Sequence, residues 1–187
     1  MDVLARSYKE AGCQDIPLIR LSDEEYARGL QCFVPACADI AIVDFDRKLI
    51  YLARRKIKPM AGLWWIGGKM MPQETKEEAA VRNFKRETTL ELPQSRFRLV
   101  AVFDYRWNDR AQTPQTIGCH MLAYTFIVNL SADELARVRL DENEYEGGLK
   151  DFTEKQLLKE NVFSPIFDLY CRVFSAFSAD HKISSSK

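Results

Sequence analysis

Residues 67–92, GGKMMPQETKEEAAVRNFKRETTLEL, constrain this chain more than any other stretch. A glycine pair enters a polar loop, and the loop runs into a helix expected over residues 74–90. Ala79, Ala80, Phe84 and Thr88 recur there at helical spacing and can face a core. Asn83, Arg86 and Glu87 share another face, because residues three and four apart are neighbours on a helix. A loop–helix unit of this kind can hold a divalent cation against a diphosphate, since Mg²⁺ needs only one or two protein carboxylates beside substrate phosphates and water.

Around this unit the pattern alternates strand and helix signals. Residues 22–30 read as a short helix capped by Ser22. Residues 31–45 and 49–54, separated by a polar turn, read as a β-hairpin. Residues 62–66 form a short aromatic segment, and 97–106 and 117–129 read as strands flanking a polar loop at 107–116. Residues 131–135 begin a short helix, 141–148 read as an acidic loop, and 153–160 and 161–177 read as helices. This mixture lacks a regular βαβ alternation and leaves several arrangements of strands and helices open.

A chain of 187 residues suits one domain with a sizeable core. Lys+Arg and Asp+Glu both number 27, so no global field favours nucleic acid or an anionic membrane. Arg54, Arg55, Lys56 and Lys58 cluster within five residues, as either a phosphate site or a solvated strand end. Five cysteines (13, 32, 37, 119, 171) without a CxxC pair argue against zinc and a disulfide framework, and suggest buried thiols in a reducing compartment. No secretory signal and no membrane-length apolar run appear, which implies a cytoplasmic protein.

The 67–92 stretch resembles the box of the Nudix hydrolases, Gly-x5-Glu-x7-Arg-Glu-U-x-Glu-Glu-x-Gly-U, with U aliphatic. Gly68, Glu74, Arg82, Glu87 and Leu90 fall on its positions. Asn83, Arg86 and Thr89 stand where the box has glutamate, glutamate and glycine. The pattern is similar to the GDP-mannose mannosyl hydrolase branch, which keeps the arginine and the final glutamate but lacks the other two metal-site glutamates. Residues 54–69, RRKIKPMAGLWWIGGK, resemble that branch's run into Gly-Gly-Arg, with Lys69 in place of the arginine and without the proline before the glycines.

The resemblance implies an α/β fold, a Nudix-type α/β/α sandwich with a mixed sheet. It implies a domain over 34–178, with residues 1–33 an extension and candidate dimer arm, and 179–187 a flexible tail. It implies Mg²⁺, with Mn²⁺ an alternative, held by Gly68 (backbone carbonyl), Glu87 and Asn143. Glu144 falls on the place of the branch's general-base histidine, and Lys69 on the place of an arginine that helps the diphosphate leave. Arg82 would orient a helix carboxylate. Arg55, Lys69, Asp39, His120 and Trp107 are the implied substrate contacts.

Bland readings stand beside several of these. His120 can be a structural strand histidine, Trp64, Trp65 and Trp107 can be core, and residues 141–146 can be a solvated acidic loop. Arg86 would repel Mg²⁺ if it points inward, could bind phosphate directly, or could swing to solvent. The implied activity is Mg²⁺-dependent hydrolysis of a nucleotide-sugar, of the GDP-mannose or GDP-glucose type, at the anomeric carbon. It releases a nucleoside diphosphate and the sugar, with a small-molecule partner, no nucleic acid and no membrane, and a homodimer expected. The rivals are a Nudix diphosphatase cutting P–O–P bonds and a catalytically silent nucleotide-binding module.

Overall fold

Strand β1 (Ala36–Asp44) is buried at every position from Cys37 to Val43. A strand with no exposed face must lie inside a sheet covered on both sides, and it does. The structure is a computed structural model that describes residues 5–184, with side chains described for 5–175. β1 runs parallel to β6 (Cys119–Asn129), and β6 is antiparallel to β5 (Arg98–Trp107). Its other edge is shared: Ile42–Asp44 pair antiparallel with β2 (Leu49–Arg55), while Cys37–Ile40 pair with β4 (Ile66–Lys69). β2 in turn pairs with β3 (Gly62–Trp64) and with β7 (Tyr145–Phe152). β1 and β2 therefore part after the hairpin turn, and β3 and β4 fill the gap between them. The sheet is mixed, with seven strands among the described residues.

Successive side chains of a strand point to opposite faces, and the two cores follow that period of two. Ala38, Ile40 and Ile42 join Phe126 and Val128 under Ala79, Ala80 and Phe84 of α2 (Lys76–Thr88). Ala41, Val43, Leu52 and Ile127 meet Leu157 of α4 (Glu154–Glu160) and Ile166, Leu169 and Val173 of α5 (Ser164–Ser184). Helices thus cover both faces, giving the α/β/α sandwich. α1 (Asp23–Cys32) precedes the sheet and buries Ala27 and Leu30, and α3 (Ala132–Arg137) follows β6.

Local rules explain where the helices begin. Ser22, Thr75, Ser131 and Thr153 each cap a helix and form a reciprocal capping box with Glu25, Glu78, Glu134 and Gln156. α2 ends on Thr89, whose φ of 63° lies in the left-handed region where glycine is favoured.

Three expectations need correction. Gly147 and Gly148 belong to β7, where the register against β2 shifts between Leu52 and Arg54; glycine there marks an irregularity of the ladder, not a loop. Helix α5 continues past residue 177 to Ser184, and residues 185–187 lie outside the described ones. Cys37 and Cys119 are buried thiols, whereas Cys13 and Cys32 are exposed. Among the described residues no helix is long and apolar enough to cross a membrane.

Candidate active site

The glycine pair is required by close approach. Gly67 lies opposite Asp39 in the β1–β4 ladder, and a Cβ on it would fall 2.7 Å from the Ala38 carbonyl oxygen and 2.9 Å from the Asp39 Cα. With β4 pressed onto β1, the carbonyls of Gly67, Gly68 and Lys69 face the side chains of α2. Asn83 Nδ2 donates to the Gly68 carbonyl at 2.9 Å, and Arg82 Nη2 donates to that of Lys69 at 2.9 Å.

Arg82 also grips Glu74 two-handed: Nη2 reaches Oε2 at 2.8 Å and Nε pairs with Oε1. Glu74 Oε2 accepts from the Met71 amide at 2.8 Å. Burial pushes the Glu74 carboxyl up, but the hydrogen bonds from Arg82 and Met71 outweigh it and leave the pKa below the usual range. Glu74, Arg82 and Asn83 thus form a closed network that fixes the loop between β4 and α2.

One helical turn further along, Glu87 is 2% exposed. Its Oε1 pairs with Nη2 of Arg86, and its Oε2 has no hydrogen-bond partner among the described residues. The same Arg86 nitrogen donates to the Gly67 carbonyl at 3.3 Å.

Gly67, Gly68, Lys69, Arg82 and Arg86 form one wall of a cleft of about 280 Å³. Asp39, Arg55, Gly68, Lys69, Arg82, Trp107 and Glu144 all line it, which unites seven of the sequence-derived candidates. Glu144 sits on the turn that leads into β7, where Tyr145 pairs with Arg55. It is half-buried, and burial, followed by the nearby charge of Glu87, pushes its carboxyl pKa up against the opposing pull of Arg86 and Arg55. Asp39 receives the Trp65 indole N–H at 2.9 Å, yet burial still pushes it to about 6. Trp65 and Trp64 are core residues in contact with one another (ring centroids 4.6 Å apart), while the partly exposed Trp107 presents a face to the cleft.

Three candidates, Glu87, His120 and Asn143, fall outside the lining. His120 bonds Asp104 at 2.8 Å. In the β5–β6 ladder it pairs with Arg106, whereas its neighbours Cys119 and Met121 pair with Trp107 and Tyr105, so the period of two turns His120 to the opposite face. Asn143 is exposed and donates its side-chain amide to Asp141 at 2.9 Å.

Tyr26 was not foreseen. It reaches the cleft from α1, outside the box, with its ring 3.6 Å from Lys69 Nζ and its hydroxyl buried without a partner among the described residues. Burial lowers the Lys69 pKa. Arg110, fully buried, holds α1 in place by donating to the Ala27 carbonyl at 3.0 Å. Helix α1, within the segment read as a dimer arm, packs on its own chain, and Gln73 also donates to the Gln14 carbonyl at 2.9 Å.

Residues 35–170 match the NUDIX domain family. The chain belongs to the Nudix family. Its members are hydrolases whose general reaction splits pyrophosphate linkages in small-molecule nucleotides, generally with divalent metals such as Mg²⁺. Among solved structures it is similar to a MutT NUDIX hydrolase from Burkholderia pseudomallei, at 26% identity over 67% of this chain and 87% of that one, TM-score 0.52. It is also similar to the Ap4A hydrolase of C. elegans, at 16% identity over 78% and 98%, TM-score 0.50. Against a MutT/nudix family protein from Enterococcus faecalis it spans 46% of that chain and 74% of its own, at 14% identity and TM-score 0.48. No curated protein matches the sequence. The family match does not reach the GDP-mannose mannosyl hydrolase branch.

The Nudix side chains here do not fit a divalent ion as they are arranged. A hard cation takes about six oxygens. Both Glu74 oxygens are held by Arg82, the Gly68 carbonyl by Asn83, and Arg86 stands between Glu87 and the Gly67 carbonyl. The expected ligands Gly68, Glu87 and Asn143 are not drawn together in this arrangement, since Asn143 donates to Asp141 and the Gly68 carbonyl accepts from Asn83. Among the described residues no three histidine, cysteine or acidic side chains converge as a metal cluster.

Proposed function

We propose that the cleft hydrolyses a nucleotide-sugar, of the GDP-mannose or GDP-glucose type, at the anomeric carbon. The reading rests on one observation: a half-buried carboxylate of raised pKa, Glu144, lines the same cleft as Lys69 and Arg55. A general base works best with a pKa moved from 4–5 toward neutral, and burial does that here. In the proposed step the oxygen of water bonds to the anomeric carbon while its proton passes to Glu144. The bond from that carbon to the β-phosphate oxygen breaks, and its electron pair stays on the diphosphate. Lys69 and Arg55 meet the charge that develops there, where fixed cations in a partly dry site are most effective. Trp107 and Tyr26 offer ring faces to the base or the sugar.

The test is to incubate the full chain with GDP-mannose and GDP-glucose in ¹⁸O-water and to resolve the products. GDP with ¹⁸O in the sugar supports attack at carbon, and Glu144→Gln should then lower turnover by about 10²–10⁴-fold. GMP with sugar phosphate places the cut at phosphorus, the family's general reaction, and overturns the proposed step. GDP binding without turnover of either sugar makes the silent binding module the correct reading.

A further inference from the structure

We propose that the guanidinium of Arg86 takes the cation's seat in this Nudix fold, so that the chain binds a nucleoside diphosphate through its own fixed cations and without a divalent ion. The proposal rests on the cleft being a diphosphate site, and not on which bond is cut.

The geometry carries it. Glu87 is the box's last metal-ligating glutamate, and it is almost wholly buried. A buried carboxylate needs a counter-charge close by, because desolvating an unpaired one is costly. Arg86 supplies that charge from the adjacent helical position, with one nitrogen on Glu87 Oε1 and on the Gly67 carbonyl. The packing is tight: a Cβ on Gly68 would lie 2.8 Å from that same nitrogen.

Only Nη2 of Arg86 is engaged, so Nε and Nη1 hold no hydrogen bond to the described residues. Arg86 lines the cleft, and its side chain is 52% exposed. A guanidinium anchored through Nη2 keeps its delocalised charge and the separate donors of Nε and Nη1 for phosphate oxygens. Lys69 and Arg55 line the same cleft and supply the remaining positive charge. Removing Arg86 would free the Glu87 carboxylate and the Gly67 carbonyl of their shared cation, with the neighbouring Tyr145 hydroxyl left near the carboxylate, which is the start of an ion site.

Two measurements on the full-length chain test this. Titration calorimetry with GDP should give the same Kd within about twofold in EDTA and in millimolar Mg²⁺. Arg86→Ala should weaken GDP binding in EDTA at least tenfold. Mn²⁺ binding followed by paramagnetic resonance should show no site tighter than millimolar in the wild type and one new site in Arg86→Ala. Adding Glu87→Gln should remove that site.

If Arg86→Ala fails to fold, Arg86→Glu takes its place. It restores a second carboxylate, and Mn²⁺ should then raise its melting temperature while leaving that of the wild type unchanged. A stoichiometric sub-millimolar Mn²⁺ site in the wild type overturns the proposal, as does loss of GDP affinity in EDTA. An Arg86 variant that gains no Mn²⁺ site overturns it too. If the wild type binds no GDP under either condition, the diphosphate reading of the cleft fails, and the Mn²⁺ measurements alone decide what fills the seat.

Discussion

Replacing Arg110 with methionine should release α1 from the body of the protein and open the cleft on the Tyr26 side. The substitution keeps an unbranched stem of similar bulk and deletes every donor. Arg110 Nη1 donates to the Ala27 carbonyl at 3.0 Å, and the rest of the guanidinium reaches the carbonyls of Gln112 and Thr113 at 3.2 and 3.5 Å. The first bond is short and buried, and a hydrogen bond from a charged donor contributes roughly 1.5–3 kcal/mol. Removing the cation also removes its desolvation cost, so a net loss of about 2 kcal/mol is expected for α1 docking. That corresponds to an opening equilibrium about thirtyfold more populated.

Little else holds the helix. Besides Ala27, Leu30 and the half-buried Tyr26 against Lys69 it buries little, and ten residues make a marginal helix on their own. Hydrogen exchange should therefore show amides of residues 23–32 exchanging about thirtyfold faster in Arg110→Met, with β1 unchanged, and GDP binding weakened as Tyr26 leaves Lys69. Unchanged protection in α1 would refute the reasoning. So would a uniform loss across the whole chain, because Arg110 would then support the core and not this contact.

Thr89→Gly should stabilise the protein by about 1 kcal/mol, since an exposed β-branched residue at φ 63° carries a strain that glycine lacks; a urea midpoint that stays or falls counts against this. Glu144 gives a pH signature whose sign follows from its raised pKa. A carboxyl titrating higher in the folded than in the unfolded state stabilises below its unfolded pKa and loses that contribution as pH rises through the folded value. Burial, then Glu87 and Asp141, raise it while Arg86 and Arg55 oppose them, so stability measured across the acidic range should fall slightly as pH rises through this titration. Glu144→Gln should flatten that slope, be no less stable than wild type at neutral pH, and still lose turnover. A variant both unstable and inactive would mean that the residue is structural.

Much of this architecture was legible in the residues because it is encoded locally. The spacing of Ala79, Ala80 and Phe84 makes α2 amphipathic, and Thr75 with Glu78 fixes where it starts, whatever lies around it. The apolar run of β1 demands an interior strand. Likewise the positions of Gly68, Glu74, Arg82 and Glu87 named the box before any contact was known.

The tertiary structure decided the rest, because it rests on choices that no local rule makes. Whether Arg86 turns to solvent or to Glu87 depends on how closely β4 presses its carbonyls against α2. The face on which His120 lies depends on the β5–β6 register, and a shift of one residue would reverse it. Gly147 and Gly148 look like loop residues by propensity, and only the pairing of Glu146 and Lys150 on either side of them with β2 carries them into a strand. Tyr26 and Arg110 are 84 positions apart in sequence, and their joint contribution to the cleft exists only once the chain has folded back on itself. The sequence alone determined the family and the helix that carries its box; folding determined which charge faces which carboxylate, because a long side chain's destination is set by its neighbours in space.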